Sequence, residues 1–388
     1  MDRISTEAWV LYGGRPDTAE EASPEFRLEE ISFPDISDDE VLAEPIFGCW
    51  EGNMTHAIER DPVDVCRLRR EKWIVLGNSG VVRVARVGRN VTSLTEGDFA
   101  AVVPIGAADE FGYLTKVLAY DAPNTMGLLA KQTKMREDQL CAVPQGTGFS
   151  LKQWAAFSLR YPTAWANWHV AFGCWRTQMP ETARRDAWAC SWGGGVGLAE
   201  MTLANLSGCR AAMIASTDER LELIASVGVE PIDRRQFPNL EFDAGSFETD
   251  RRYRAAYLKN ERTFLDILRS KTEGRGISIF VDNIGRPVFR ATLRALARQG
   301  VVASVGWKLG MDLSVARAVE CINRHIHVYT HGASFAEGLA AARFAEETGW
   351  MAPVSNEVYA WADVGRLAHD FAQSRVRSYF PLFQVNAC

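Results

Sequence analysis

What the chain lacks narrows it first. Its eight cysteines are scattered, with no CxxC pair and no short-spaced framework, so reduced thiols in a cytoplasm are expected rather than a disulfide scaffold. No apolar run approaches the roughly 20 residues that would cross a bilayer. Basic residues are not in excess: 43 Lys and Arg face 49 Asp and Glu, a formal net charge of −6. That balance speaks against nucleic acid, whose phosphates want a cationic face. Met1 to Trp9 carry acids and no hydrophobic centre, so no signal peptide is read there. No repeat or low-complexity tract is visible. What remains, over 388 residues of which 47% are hydrophobic and 24% charged, is a globular chain with room for two cores.

The most informative stretch runs from Asp186 to Ile214. Ala187 to Trp192 reads as a buried strand that breaks at Gly193, Gly194, Gly195 and Gly197. A helical pattern follows through Leu198, Met201, Leu203 and Leu206, then a second apolar run from Ala211 to Ala215. Strand, glycine turn, helix and strand is the context in which such glycines have separate jobs: a tight turn, close approach of amides to a diphosphate, and close helix–strand packing. The helix amino terminus then offers free N–H groups and a positive dipole end to phosphate. A dinucleotide site is predicted at Gly194, Gly195, Val196 and Gly197. A glycine turn without a ligand is the plain alternative.

Before that stretch the chain reads as mostly β, with short strands at Ala8 to Leu11, Phe26 to Ile31, Glu40 to Ile46, Gly80 to Val87 and Phe99 to Val103. Turn residues such as Asp35, Gly88, Asn90 and Glu96-Gly97-Asp98 punctuate them, which suggests a barrel-like unit. From about Leu151 the period becomes helical, with Pro162 suited to a first helical turn. Helices at 219–226, 262–271 and 288–298 alternate with strands at 277–282 and 301–305, the mark of a parallel sheet covered on both faces. The tail from Ser374 to Val385 reads as a strand returning to the first domain.

This layout resembles the medium-chain dehydrogenase/reductase superfamily. The resemblance rests on Gly77-Asn78-Ser79-Gly80-Val81-Val82, Val87-Gly88-Arg89-Asn90-Val91, Glu96-Gly97-Asp98, Tyr161-Pro162-Thr163-Ala164-Trp165 and the glycine turn. The second half is most similar to the crotonyl-CoA carboxylase/reductase branch, through the charged insert 250–262, Leu268 to Gly274, and Phe280-Val281-Asp282-Asn283-Ile284-Gly285-Arg286. The implied fold is α/β: a GroES-like β-barrel catalytic domain over 1–158, a doubly wound Rossmann cofactor domain over 159–340, and a segment over 341–388 returning to the first.

Departures from that family carry the expected chemistry. Its zinc-dependent alcohol dehydrogenases hold the metal with cysteine, histidine and a second cysteine or acid, converging tetrahedrally. Here Cys49 fills the first place, Asn78 and Ser79 stand where Gly-His-Glu is usual, and the third place falls near Leu159 or Arg160. Gly97 to Leu140 has no cysteine for a structural zinc lobe. A zinc-free enzyme is expected, with His56 as the one residue that would rescue a metal. Carbon dioxide fixation is not expected either. The carboxylating reductases use an asparagine where Cys49 stands and a histidine where Asn283 stands, and their phenylalanine–glutamate pair has no clear counterpart.

The resemblance places Thr163 at the nicotinamide end, Gly306 on its other side, and Asn283 in the cofactor-binding set. At the end of the second strand, Ser216, Thr217 and Arg220 offer short donors and a cation, which favours NADPH over NADH. Asp218 is either the acid that would bind ribose or a helix cap. Without a Lewis acid, conjugate reduction of an enoyl thioester asks least of the protein: donors for the enolate oxygen and an acid for the α-carbon. Tyr161 and Arg160 are the first candidates and Asn78 and His56 the second; Tyr161 reads equally well as a packed aromatic. Trp50, Phe111, Tyr113 and Trp307 are candidate walls of an apolar slot. The cationic runs Arg251, Arg252, Arg254, Lys259, Arg262 and Arg67, Arg69, Arg70, Lys72 read as solvated faces or as coenzyme A phosphate sites. Three functions stay open at this point: an enoyl-thioester reductase without carboxylation, a zinc-free alcohol or carbonyl oxidoreductase, and a non-catalytic nucleotide-binding protein. Relatives imply a homodimer or dimer of dimers, a small-molecule or thioester substrate, and no membrane partner.

Overall fold

The computed structural model describes residues 3–13, 25–310, 324–330 and 332–388. The chain forms two compact units, Met1–Pro162 with Ala333–Cys388, and Thr163–Gly332. The returning segment therefore begins at 333 instead of 341, and the first unit reaches 162 instead of 158.

The first unit is built on β1 (Arg3–Tyr12), β2 (Glu25–Pro34), β3 (Glu40–Cys49), short helices α1 (Gly52–Glu59) and α2 (Val65–Arg69), then β4 (Trp73–Val75), β5 (Gly80–Val87), β6 (Phe99–Val102), β7 (Ile105–Ala108), β8 (Leu114–Val117), β9 (Thr133–Arg136), β10 (Leu140–Ala142) and α3 (Leu151–Phe157). Alternation works where one face is wet: in β1, Thr6, Ala8 and Val10 are buried while Ser5, Glu7 and Trp9 are not fully enclosed. In β5 the run Val81, Val82, Val84 is buried because β3 and β6 flank it. Helix α3 starts at Ser150 with a capping box, its hydroxyl taking the Gln153 N–H and the Gln153 side chain reaching back.

The chain leaves this unit inside α4 (Arg160–Gln178), which carries Pro162 in its first turn. The second unit follows with β11 (Trp188–Ser191), α5 (Gly195–Leu206), β12 (Arg210–Ala215), α6 (Asp218–Ser226), β13 (Glu230–Asp233), α7 (Ala244–Thr249), α8 (Arg251–Lys271), β14 (Ile277–Val281), α9 (Arg286–Ala295), β15 (Leu296–Ser304) and β16 (Ile326–Tyr329). Its sheet has the order β13-β12-β11-β14-β15-β16, all parallel. That is the doubly wound order, with the switch point at β11 and β14. The charged insert is the first half of α8: Arg251, Arg252, Lys259 and Arg262 are exposed, while Tyr257, Phe264, Leu265 and Leu268 pack inward. Those arginines form a solvated face. Among the described residues no helix is long and apolar enough to cross a membrane.

The last stretch adds α10 (Phe335–Thr348), β17 (Val358–Tyr359), α11 (Val364–Ala372) and β18 (Leu382–Gln384) to the first unit. The expected tail strand is thus only three residues long, and it lies between β3 and β17 in a seven-stranded sheet of order β10-β6-β5-β3-β18-β17, with β9 on β3. Opposite Phe383 stands Gly48, where an added Cβ would lie 2.1 Å from the Phe383 ring. Gly48→Ala is therefore expected to overpack this seam by about 1–3 kcal/mol and lower the melting temperature. Phe383→Leu in the same chain should recover part of the loss in a thermal melt.

Candidate functional site

In the second unit the glycine turn is built as its residues suggest. Strand β11 is buried along its length, and Gly193 and Gly194 then take positive φ values of 119° and 88°, a region that favours glycine. Gly194 is the N-cap of α5, and no side chain caps that helix. Gly197 lets the helix close on the strand, since a Cβ there would sit 2.3 Å from Ser191 Oγ. The first N–H groups of α5 have no partner within the helix, and they carry its positive end.

At the end of β12 the helix cap is Thr217, whose hydroxyl accepts from the Arg220 N–H at 3.4 Å. Asp218 is the first helical residue and not the cap; its carboxylate pairs with Arg235 at 2.6 Å. Ser216 is exposed. Desolvation, and then the charge of Arg220, hold the Lys308 ammonium below its ordinary pKa, so two cations lie close enough to repel. Asn283 does not point its amide outward: Oδ1 accepts from Val305 N–H at 2.8 Å and Gly306 N–H at 3.2 Å. Behind it, Asp282 accepts from the Ile284 and Gly285 N–H groups and from Thr292, which in turn accepts from the Trp192 indole. This relay fixes the loop that carries Asn283 and Gly306.

Thr163 is buried on α4. One turn on, Asn167 donates to Glu200 Oε1 of α5 at 2.6 Å and accepts from Thr330 at 3.0 Å. Glu200 is fully buried, and its Oε2 has no partner. Burial pushes its carboxyl up to about 8, against the Asn167 bond.

The first unit brings a separate polar cluster together. Arg160, at the start of α4, donates from Nη1 to Cys49 Sγ at 2.6 Å and from Nη2 to the Trp50 carbonyl at 2.8 Å, and lies 2.9 Å from Glu51 Oε1. All three side chains are buried. The Cys49 N–H donates to the Ser79 carbonyl, next to Asn78. Asn78 is 1% exposed and its Oδ1 has no partner. His56 lies at the last turn of α1, and partial burial lowers its pKa despite Glu59 and Asp61. Tyr161 is enclosed by Phe157, Trp350 and Phe380, with ring centroids 5.0, 4.7 and 6.3 Å away. Burial raises its phenol far above the usual value. The packed-aromatic reading of Tyr161 is the one its surroundings favour.

Other sequence expectations are corrected. Trp50 is a core residue whose indole donates to Thr55, not a slot wall. Phe111 and Tyr113 are 75% and 61% exposed at the β7–β8 hairpin. Arg69 is buried, gripping Glu71 with two nitrogens and the carbonyls of Tyr120 and Thr125, so it is not a phosphate ligand. Glu51, Glu200 and Lys308 are the residues the sequence reading missed. The available signal was an acid inside an apolar context in each of the first two cases.

The donors at the metal place fit no divalent ion. Cys49 brings a single thiol, whereas a zinc site takes several converging sulfur, imidazole or carboxylate donors. A guanidinium already fills the position beside that sulfur. Among the described residues no cluster of three or more metal-ligating side chains forms.

No family model matches the sequence. Solved structures of similar fold include a 2-octenoyl-CoA carboxylase reductase in complex with NADP and 2-octenoyl-CoA, with TM-score 0.81, 20% identity, and 98% of this chain and 87% of that one covered. A crotonyl-CoA carboxylase/reductase in complex with NADP gives 0.79 and 21% over 99% of this chain and 95% of the other. A thermostable alcohol dehydrogenase from Pyrobaculum aerophilum gives 0.72 and 16% over 98% and 100%. The fold is that of the medium-chain dehydrogenase/reductases: a GroES-like unit and a Rossmann unit.

Glu200 makes the stability of the second unit depend on pH. An acid whose folded pKa is raised, here from 4.5 to about 8, contributes fully below the lower value and loses that contribution as pH rises to the upper one. Urea unfolding at about pH 5 and about pH 8 should show wild type weakening across this window. Glu200→Gln should flatten that loss and be the more stable protein at the upper pH.

Proposed function

We propose that the chain is an NADPH-dependent, zinc-independent reductase of an activated double bond, acting on an enoyl-CoA or carrier-bound enoyl thioester without carboxylation. The observation that carries this reading is the uncapped, glycine-turned start of α5, together with the paired cations Arg220 and Lys308. NADP in two structures of the same fold supports it.

The amides of Gly194, Gly195, Val196 and Gly197 hold the diphosphate, and Ser216, Thr217, Arg220 and Lys308 serve the 2′-phosphate. Thr163 and Gly306 serve the nicotinamide end, with Asn283 setting the loop. A bound reduced cofactor supplies hydride, which the substrate takes at its β-carbon. The enolate oxygen then needs a donor. Arg160, the first candidate from the sequence together with Tyr161, has its Nη groups committed to Cys49 and Trp50. Asn78, the second candidate, is buried with its amide oxygen lacking a hydrogen-bond partner. Two features argue against carbon dioxide fixation. The Asn283 amide oxygen is taken by two backbone N–H groups, and the Cys49 sulfur is taken by Arg160. The expected subunit arrangement is a homodimer or dimer of dimers, and the expected compartment is the cytoplasm.

Incubation with NADPH and a panel of enoyl thioesters and aldehydes tests the reading. Thioester-dependent loss of the reduced-cofactor absorbance, giving the saturated product without added bicarbonate being consumed, is expected. Loss with aldehydes alone would favour a carbonyl oxidoreductase, and binding without turnover a non-catalytic protein. Arg220→Ala should raise the KM for NADPH by roughly 10- to 100-fold, the range of a lost charged hydrogen bond, and leave the KM for NADH nearly unchanged in the same assay.

A further inference from the structure

The proposed cofactor preference leaves one residue unexplained. Asp218 is an acid roughly 20 residues past the glycine turn, where a carboxylate ordinarily accepts from the ribose hydroxyls of NAD. We propose that Arg235 is a positioning residue for cofactor specificity, which ties up the Asp218 carboxylate and so favours the phosphorylated dinucleotide. The inference rests on the cofactor part of the reading above and not on the substrate. Every residue in it belongs to the Thr163–Gly332 unit.

The sheet brings the two side chains together. Strands β12 and β13 are parallel, and their register sets Ala215 beside Asp233. Asp218 stands three residues beyond the first and Arg235 two beyond the second, so both lie past the carboxyl ends of the strands, the side on which dinucleotides bind. Asp233 fixes the arginine. Its Oδ1 accepts from the Arg235 backbone N–H at 2.8 Å and from Nε at 2.9 Å, and its Oδ2 from Nε at 3.0 Å. The guanidinium is planar and permanently charged, so this grip on Nε also sets where Nη2 points. It points at Asp218 Oδ1, 2.6 Å away.

The pair does little for folding. Asp218 is 74% and Arg235 50% exposed, and ion pairs in water contribute little because solvent screens them. Its effect falls on a ligand instead. Clamped, Asp218 has a counter-charge beside it and an oxygen occupied. Freed, it would offer NADH a charge-assisted hydrogen bond and would repel the 2′-phosphate of NADPH. Arg220 and Lys308 supply the attraction for that phosphate, and Arg235 removes an opposing acid.

Binding of NADPH and of NADH to the full chain, followed by the fluorescence of the reduced nicotinamide, tests this in wild type, Arg235→Ala, Asp218→Ala and the double variant. Arg235→Ala should bind NADH more tightly and NADPH more weakly, shifting the ratio of the two Kd values by about tenfold or more, the size of one charged hydrogen bond. Asp218→Ala alone should leave NADH at the wild-type level, because a clamped acid adds nothing to its binding. The double variant should lose the NADH gain and recover NADPH binding. Arg235→Lys, which keeps the charge, should retain part of the wild-type preference, and thermal melts of all variants should lie close to wild type. A loss of NADPH affinity in Arg235→Ala with no gain for NADH and no recovery in the double variant would make Arg235 a direct phosphate ligand and overturn the proposal. An unchanged ratio would overturn it too. Wild type that binds NADH the more tightly would sink the NADPH reading alone, and the clamp is then judged by whether the NADH gain in Arg235→Ala requires Asp218. Wild type that binds neither removes both.

Discussion

The buried guanidinium of Arg160 is the contact on which the polar cluster of the first unit depends. A charge without water is tolerable only when it is neutralised and its hydrogen bonds are filled, and here one side chain meets a sulfur, a carbonyl and a carboxylate from Cys49, Trp50 and Glu51. Those three consecutive residues leave β3 in a single pose as a result. A metal would have imposed comparable order through coordination. A guanidinium does so with a planar, permanently charged group. Beside it, the Oδ1 of Asn78 and the Oε1 of Glu51 are buried without a hydrogen-bond partner.

The second unit solves a different problem. Helix α5 begins without a side-chain cap, and the chain uses glycines at positive φ to expose that end. Neighbouring helices are closed conventionally, α6 by Thr217 and α8 by Asp250. Behind the open turn, rigidity comes from buried polar chains: Trp192 to Thr292 to Asp282 on one side and Thr330 to Asn167 to Glu200 on the other. Networks of this kind hold loops in one arrangement because every alternative leaves a buried group unsatisfied.

Much of this architecture was legible in the residues. The span of β5 matches its valine run to the residue, and the glycine turn, its flanking strands and the parallel order follow from period and punctuation. Helix α8 was read only from Arg262 because its first half is mostly charged, and its spaced apolar contacts become evident only against the sheet. Glu51 and Glu200 escaped notice for a related reason. Their partners lie far along the chain: Trp50, beside Glu51, is bonded by an arginine 110 residues away, and no local pattern reports such a meeting. Tyr161 stood open between proton donor and packed ring until Trp350 and Phe380 were seen around it. Side-chain partnership, more than backbone course, is what one-dimensional reading leaves undetermined.

The insertion of β18 into the interior of its sheet has a consequence for biogenesis. The Rossmann unit is one contiguous segment, whereas the sheet of the first unit has its final strand supplied by Leu382–Gln384, seated between β3 and β17. During vectorial synthesis the Rossmann half can therefore close on itself while the barrel half is still waiting, the stretch of β3 that faces β18 unpaired, for Leu382–Gln384. The nascent chain carries that exposed edge until β18 is made, and the strand that completes the sheet also removes a hazard for aggregation.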